Sequence, residues 1–193
     1  MLINEVILAL AALCTIVAYI VYFTQTVDGT TQPNRWSWFI WSGTTLLEAL
    51  TFQGVSGEWM KAAVFFVSAG CVVITTMIIW KRSEQEIPKL TEVFCVVATI
   101  AAIWVWYHYQ EVWWAHVIMI LAIPVSFMPT WKDGLDNPGS EHWGAWLLWS
   151  VGDALVLYLI YVNLDDIREL PYIAVELACH AYMLRIALMR RGA

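Results

Sequence analysis

The sequence predicts an all-α integral membrane protein of seven spanning helices. Three observations lead there. Hydrophobic residues fill 61% of the 193 positions and charged residues 13%, against about 45–50% and about 25% in soluble domains. The apolar residues gather into seven runs, and a bilayer crossing takes about 20 residues of helix. Short clusters of turn-forming residues separate the runs. This balance argues against an ordinary soluble enzyme and a disordered chain. The net charge of −6 argues against nucleic acid, whose phosphates call for a basic face.

The runs lie at about 3–24, 35–53, 61–80, 90–109, 112–130, 142–163 and 170–189. Residues 1–23 hold Glu5 and neither Lys nor Arg, so the first run reads as a retained span rather than a cleaved signal peptide. The breaks contain Asp28-Gly29 with Pro33-Asn34, Gly54 with Gly57, Lys81 to Pro88, Asp133-Gly134 with Pro138-Gly139, and Asn163 to Pro171. The fourth and fifth runs part near Tyr107–Glu111 with little polar sequence between them. Pro33 and Pro138 stand just ahead of the second and sixth runs, where proline serves to start a helix. Cys14, Cys71, Cys95 and Cys179 all sit within apolar runs and no two have C-x-x-C spacing, which reads as core packing rather than zinc or redox chemistry.

Basic residues collect on the cytoplasmic side of membrane proteins. With the N-terminus outside, the inner segments hold Arg35, Lys81, Arg82, Lys89, Lys132, Arg185, Arg190 and Arg191, leaving Lys61 and Arg168 outside. The expected orientation is therefore N-terminus outside and C-terminus inside. Short loops favour a bacterial inner (plasma) membrane.

An internal repeat organises the chain. Trp38-Phe39-Ile40-Trp41-Ser42 matches Trp146-Leu147-Leu148-Trp149-Ser150 at an offset of 108 residues. The same offset aligns helix 1 with 5, 2 with 6 and 3 with 7, and matches Leu47 to Leu155, Val67 to Val175 and Cys71 to Cys179. The expected architecture is 3+1+3: a three-helix repeat over 1–80, a linker helix within 81–110, and a second three-helix repeat over 111–193. An odd linker makes the two triplets run parallel, a known way of building a transporter.

An arrangement of this kind resembles the SWEET / PQ-loop superfamily of small membrane transporters. Pro129-Thr130 in helix 5 stands where that family has its Pro-Gln pair, and helix 1 has Tyr22, Phe23 and Gln25 there. Helices 3 and 7 carry no evident counterpart of the family's sugar-binding Asn. The resemblance implies a small-solute carrier with its substrate held between the two triplets.

Ionisable residues at bilayer depth cost about 2.5–3.5 kcal/mol on insertion scales, so each needs a reason. Glu48 shares a stripe of helix 2 with Thr45, Trp41 and Trp38, and Asp153 shares one of helix 6 with Trp149, Trp146 and His142. Two equivalent helices thus offer a Trp–Trp–acid face, and both are expected to turn inward. Indole faces stack on sugars, flat rings or cations, and carboxylates bind hydroxyls or cations or carry protons. Trp38, Trp41, Trp146, Trp149, Glu48 and Asp153 are the candidate substrate site. Glu176 and His180, spaced i and i+4 on helix 7 with Tyr172 one turn earlier, are the candidate proton-coupling pair. Each of these groups also has a structural reading, as a hydrogen-bonded packing residue. His116, near the outer end of helix 5, reads as a satisfied interfacial residue. Pro124 and Pro129 interrupt helix 5 and are candidate gating points.

The expected function is a small-solute membrane transporter for a sugar-like, vitamin-like or amino-acid-like substrate, possible as a homo-oligomer in contact with membrane lipid. No cofactor and no metal is expected. The alternatives are a non-catalytic subunit or sensor of a membrane complex, and a membrane-embedded enzyme. The second is disfavoured because no G-x-S-x-G, H-E-x-x-H or paired-aspartate motif occurs.

Overall fold

A computed structural model describes residues 2–56, 59–82, 87, 89–109, 112–137, 139–164 and 167–189. Gly57, Pro88, Gln110, Glu111, Pro138, Arg190 and Arg191, used in the sequence reading, lie outside the described residues. Among the described residues there is no strand. The helices are α1 (Leu2–Val27), α2 (Arg35–Ser56), α3 (Trp59–Arg82), α4 (Leu90–Tyr109), α5 (Val112–Asp136), α6 (Trp143–Val162) and α7 (Leu170–Met189), with a 3₁₀ turn at Ile167–Glu169 leading into α7. Each falls on one expected run. Four stretches are long and apolar enough to cross a bilayer: Ile3–Val27, Ala63–Lys81, Trp143–Val162 and Ile167–Met189. They mark the chain as a membrane protein.

Packing divides the chain into two compact units. The first joins Met1–Pro33 with Thr130–Ala193, and the second is Asn34–Pro129. In the first unit α6 packs on both α1 and α7. A Cβ on buried Gly152 of α6 would stand 3.5 Å from the Ala11 carbonyl oxygen, so the two backbones run close together there. In apolar surroundings such close contact and hydrogen bonds hold helices together, since burial from lipid adds little. At the α1 and α6 ends away from that contact, Asn4 donates to the Asn163 side-chain oxygen at 2.8 Å. Gly29, at φ +75°, ends α1 in the left-handed conformation that glycine adopts without strain.

In the second unit α2 packs on α3 and, less extensively, on α4. Asn34 caps α2 by accepting from the Trp36 and Ser37 amides, both at 3.0 Å. Its side-chain nitrogen donates to buried Glu92 at 3.0 Å. Glu92 also accepts from the Lys89 amide at 2.6 Å, which closes the start of α4. Arg35 is buried with its guanidinium 5.1 Å from the Trp80 ring centroid and 5.5 Å from that of Trp36. Leu47 and Met119 form a small buried cluster where α2 meets α5.

The largest departure from the expected bounds is α5, which runs to Asp136 rather than stopping near 130. Contacts beyond Pro129 carry it on: Trp131 meets the Tyr182 ring at 5.0 Å, Gly134 lies against Met183 and Ile186, and Lys132 pairs with Asp136 one turn on. Prolines 124 and 129 both lie inside the continuous helix. Proline has no amide hydrogen, so Pro129 leaves the Val125 carbonyl, four residues earlier, without its helical donor. The Cys95 thiol of α4 donates to that carbonyl at 3.3 Å. Cys95→Val should therefore lower thermal stability in detergent by about 0.5–1 kcal/mol. Cys95→Ser, which keeps a donor, should stay near wild type. Equal melting of both variants would show that the bond contributes nothing.

Candidate functional site

The α6 stripe read from the sequence begins at the helix cap. His142 is the N-cap of α6, with its Nδ1 accepting from the Gly144 amide at 3.2 Å. The Gln25 side-chain nitrogen of α1 lies 2.7 Å from the same ring atom. Two N–H groups aimed at Nδ1 make it the acceptor and leave the ring proton on Nε2. Ahead of this cap stands Glu141, buried at the boundary of the span. Its Oε1 accepts from the Tyr22 hydroxyl of α1 at 2.8 Å and its Oε2 from the Trp146 indole at 3.1 Å.

One turn further in, Trp146 and Trp149 touch with ring centroids 5.0 Å apart. Tyr22 meets Trp146 at 5.9 Å and Trp149 at 5.5 Å, and Tyr19 meets Trp149 edge-on at 5.1 Å. The Tyr19–Trp149 and Tyr22–Trp146 pairs are edge-to-face, an arrangement that aromatic quadrupoles favour, and the other two are tilted. Deeper still, His180 of α7 stacks on Trp149 at 5.6 Å with an angle of 16° between the rings, and lies 5.8 Å from Trp146. Its Nδ1 sits 2.6 Å from Oδ2 of Asp153. The two side chains are 11% and 13% exposed, so the pair is almost enclosed. Glu176, one turn before His180 on the same face, is partly buried, and Tyr172 beyond it is buried. Trp146, Trp149, Asp153, Glu176 and His180 therefore all belong to one unit, on the facing sides of α6 and α7.

The α2 stripe belongs to the other unit. Trp38 and Trp41 are buried with centroids 5.4 Å apart. Trp41 donates its indole hydrogen to the Ser126 hydroxyl of α5 at 3.0 Å and packs on Phe127 at 4.8 Å. Glu48 is 1% exposed. One turn on, Thr51 lies 3.4 Å from Nδ1 of fully buried His116, which is flanked by Phe52 and Trp113. His116, read from the sequence as interfacial, is thus a core residue, because the aromatic rings of α2 and α5 close around it. Pro124 and Pro129 stand on either side of Ser126 and Phe127 in the same stretch of α5.

Glu141 was invisible to stripe counting. It lies outside the apolar run, where an acid ahead of a helix reads as a charge at the N-terminal dipole. Its significance comes from Tyr22, 119 residues away. Burial pushes its carboxyl from 4.5 up to about 8, and the negative charge of Asp133 acts in the same direction; the Tyr22 and Trp146 hydrogen bonds pull the other way.

The folded chain thus holds this proton more tightly than the unfolded chain. The stabilisation is fully present below pH 4.5 and is lost as pH rises through about 8. The thermal midpoint of the protein in detergent should fall by at least a few degrees across that window, and Glu141→Gln should flatten the fall. An equal fall in the variant would assign the effect to another group. No protein-family model, no curated protein and no solved structure matches the chain.

Proposed function

We propose that the protein is a proton-coupled membrane carrier of a small solute, with its proton held by Asp153 and His180 and its solute received on the Trp146 and Trp149 rings. The observation that carries this reading is the 2.6 Å contact between Asp153 and His180, bridging two candidate membrane spans under a stacked indole. Charge is expensive at that depth, and a carboxylate–imidazole pair retained there points to ion or proton traffic.

With the proton on the pair, the imidazolium donates to the carboxylate and rests on the Trp149 face, a charge-assisted bond and a cation–π contact acting together. When the proton leaves, the bond between the ring and Asp153 loses its charge assistance, even where Nδ1 keeps a hydrogen. A hydroxyl or ammonium group of a solute then competes as donor to Asp153, while the solute's flat or apolar side stacks on the indoles. Sugar-like, vitamin-like and amino-acid-like molecules have this combination. The proton and the solute then compete for one carboxylate, which is the basis of coupled exchange.

The two-halves reading of the sequence gains support from details that recur at the 108-residue offset. Asn34 and His142, equivalent by that offset, cap α2 and α6 alike by accepting from the amide two residues on. The Ser42 hydroxyl lies 3.0 Å from the Trp38 carbonyl, and that of Ser150 lies 2.8 Å from the Trp146 carbonyl. In this reading all seven helices span an inner membrane with the N-terminus outside, as two like triplets around a linker helix. The α2 stripe of Trp38, Trp41 and Glu48 is then the first half's version of the solute face. Glu176 assists the proton pair, α5 flexes at Pro124 and Pro129, and the architecture is SWEET-like.

Uptake into proteoliposomes under an imposed pH gradient tests the reading. Purified protein should accumulate at least one member of a panel of sugars, vitamins and amino acids. Asp153→Asn and His180→Gln should each reduce gradient-driven uptake at least about tenfold, since loss of either partner leaves a buried polar group worth about 1–3 kcal/mol unmatched. Glu48→Gln should impair uptake without abolishing folding. A solute carried at wild-type rate by both Asp153→Asn and His180→Gln would overturn the proposed site.

A further inference from the structure

We propose that Glu141 is a second proton-binding site, placed at the membrane boundary apart from the Asp153–His180 pair, and that the Tyr22 hydroxyl is the partner that sets how tightly the proton is held there. The two oxygens of Glu141 have different partners. Oε2 faces the Trp146 indole at 3.1 Å, and an indole N–H only donates. Oε2 is thereby kept as an acceptor in every state. Oε1 faces the Tyr22 hydroxyl at 2.8 Å, and a phenol both donates and accepts. When Glu141 is ionised, Tyr22 donates to Oε1. When Glu141 is protonated, the hydrogen lies on Oε1 and is donated to the Tyr22 oxygen, with the phenol hydrogen turning to another acceptor. Both protonation states therefore keep both contacts to Glu141, the phenol changing from donor to acceptor. A carboxyl group serving only as a structural clamp has no need of a partner that can reverse its donor role.

The surroundings fit a group that exchanges its proton with water. Glu141 lies just outside the Trp143–Val162 span. On α1 it faces Tyr22, with Gln25 one turn nearer the loop. On α6 it is followed by His142, whose Nδ1 is occupied by the Gly144 amide. On α5 the negative charge of Asp133 opposes its ionisation, while neighbouring Lys132 is engaged with Asp136. On α7, His180 belongs to the same aromatic cluster, 5.8 Å from the Trp146 ring. Burial and Asp133 together bring the titration of Glu141 to about 8, where a modest pH change alters its charge. Tyr22 and Trp146, its two partners, are also two of the rings around Trp149. The charge at the boundary is therefore felt by the aromatic wall beside Asp153 and His180.

The proton site stands whether or not the protein carries a solute, so its test reads protonation directly. Infrared difference spectra of the full chain in lipid nanodiscs, recorded between acidic and alkaline pH, should contain a protonated-carboxyl carbonyl band that titrates near pH 8 and is missing in Glu141→Gln. Tyr22→Phe removes a donor to the ionised form and should raise the midpoint by about one pH unit. If Glu141→Gln does not fold, wild type and Tyr22→Phe decide by the shift alone. A midpoint unmoved in Tyr22→Phe, or a titrating band that persists unchanged in folded Glu141→Gln, overturns the proposal. Retention of the band in Asp153→Asn, alongside loss of its uptake, would separate the boundary site from the carrier site. A wild-type band with no uptake of any solute would uphold the proton site and remove the carrier reading.

Discussion

The fold rests on one constraint: within an apolar medium, every polar group must find its partner inside the protein. Helices answer this for the backbone, and where a helix fails locally a side chain takes over. The Val125 carbonyl, deprived of its donor by Pro129, is met by the Cys95 thiol. The hydroxyls of Ser42, Thr44, Thr51 and Thr75 turn back to carbonyls three or four residues earlier on their own helices. Each such bond keeps a polar residue compatible with an apolar neighbourhood and adds little net stability. What it prevents is the larger cost of an unmatched group.

The same constraint explains why aromatic residues crowd the candidate sites. An indole presents a wide apolar body and a single donor, so it packs among helices while holding one specific acceptor. Trp41 uses that donor on Ser126 and Trp146 uses it on Glu141. The rings of Trp146 and Trp149 then form the wall on which His180 rests. Removing water around Asp153 and His180 strengthens their attraction and makes each dependent on the other. A hydrogen bond of this kind ties α6 to α7, so any change in its protonation bears on how the two helices pack.

Long-range pairing gives the first unit its character. Helix α1 comes back against α6 through Gly152, through Tyr22 and Glu141, and through Asn4 and Asn163. Contacts at both ends and the middle of one helix pair fix its register, because a slide of one residue would break all of them together. The polar contacts sit at the ends, where they meet the membrane boundary, and the closest backbone approach sits between them, where small residues serve better than polar ones.

The sequence by itself determined the number and order of helices, because apolar runs and turn-forming breaks are local properties. It determined their bounds to within a few residues, except where α5 continues past Pro129 on contacts with α7 that no local pattern records. It also determined that Trp146, Trp149 and Asp153 share a face, since helical periodicity alone sets that. Tertiary structure decided what the face meets. The sequence grouped His180 with Glu176 by spacing; the structure adds a hydrogen bond from His180 to Asp153, 27 residues away, that spacing does not show. Glu141 gave no local sign, because its role comes from a phenol on α1 and an indole on α6 meeting at one carboxyl group. Periodicity tells which residues travel together on a helix; only the packing of one helix on another tells which of them meet.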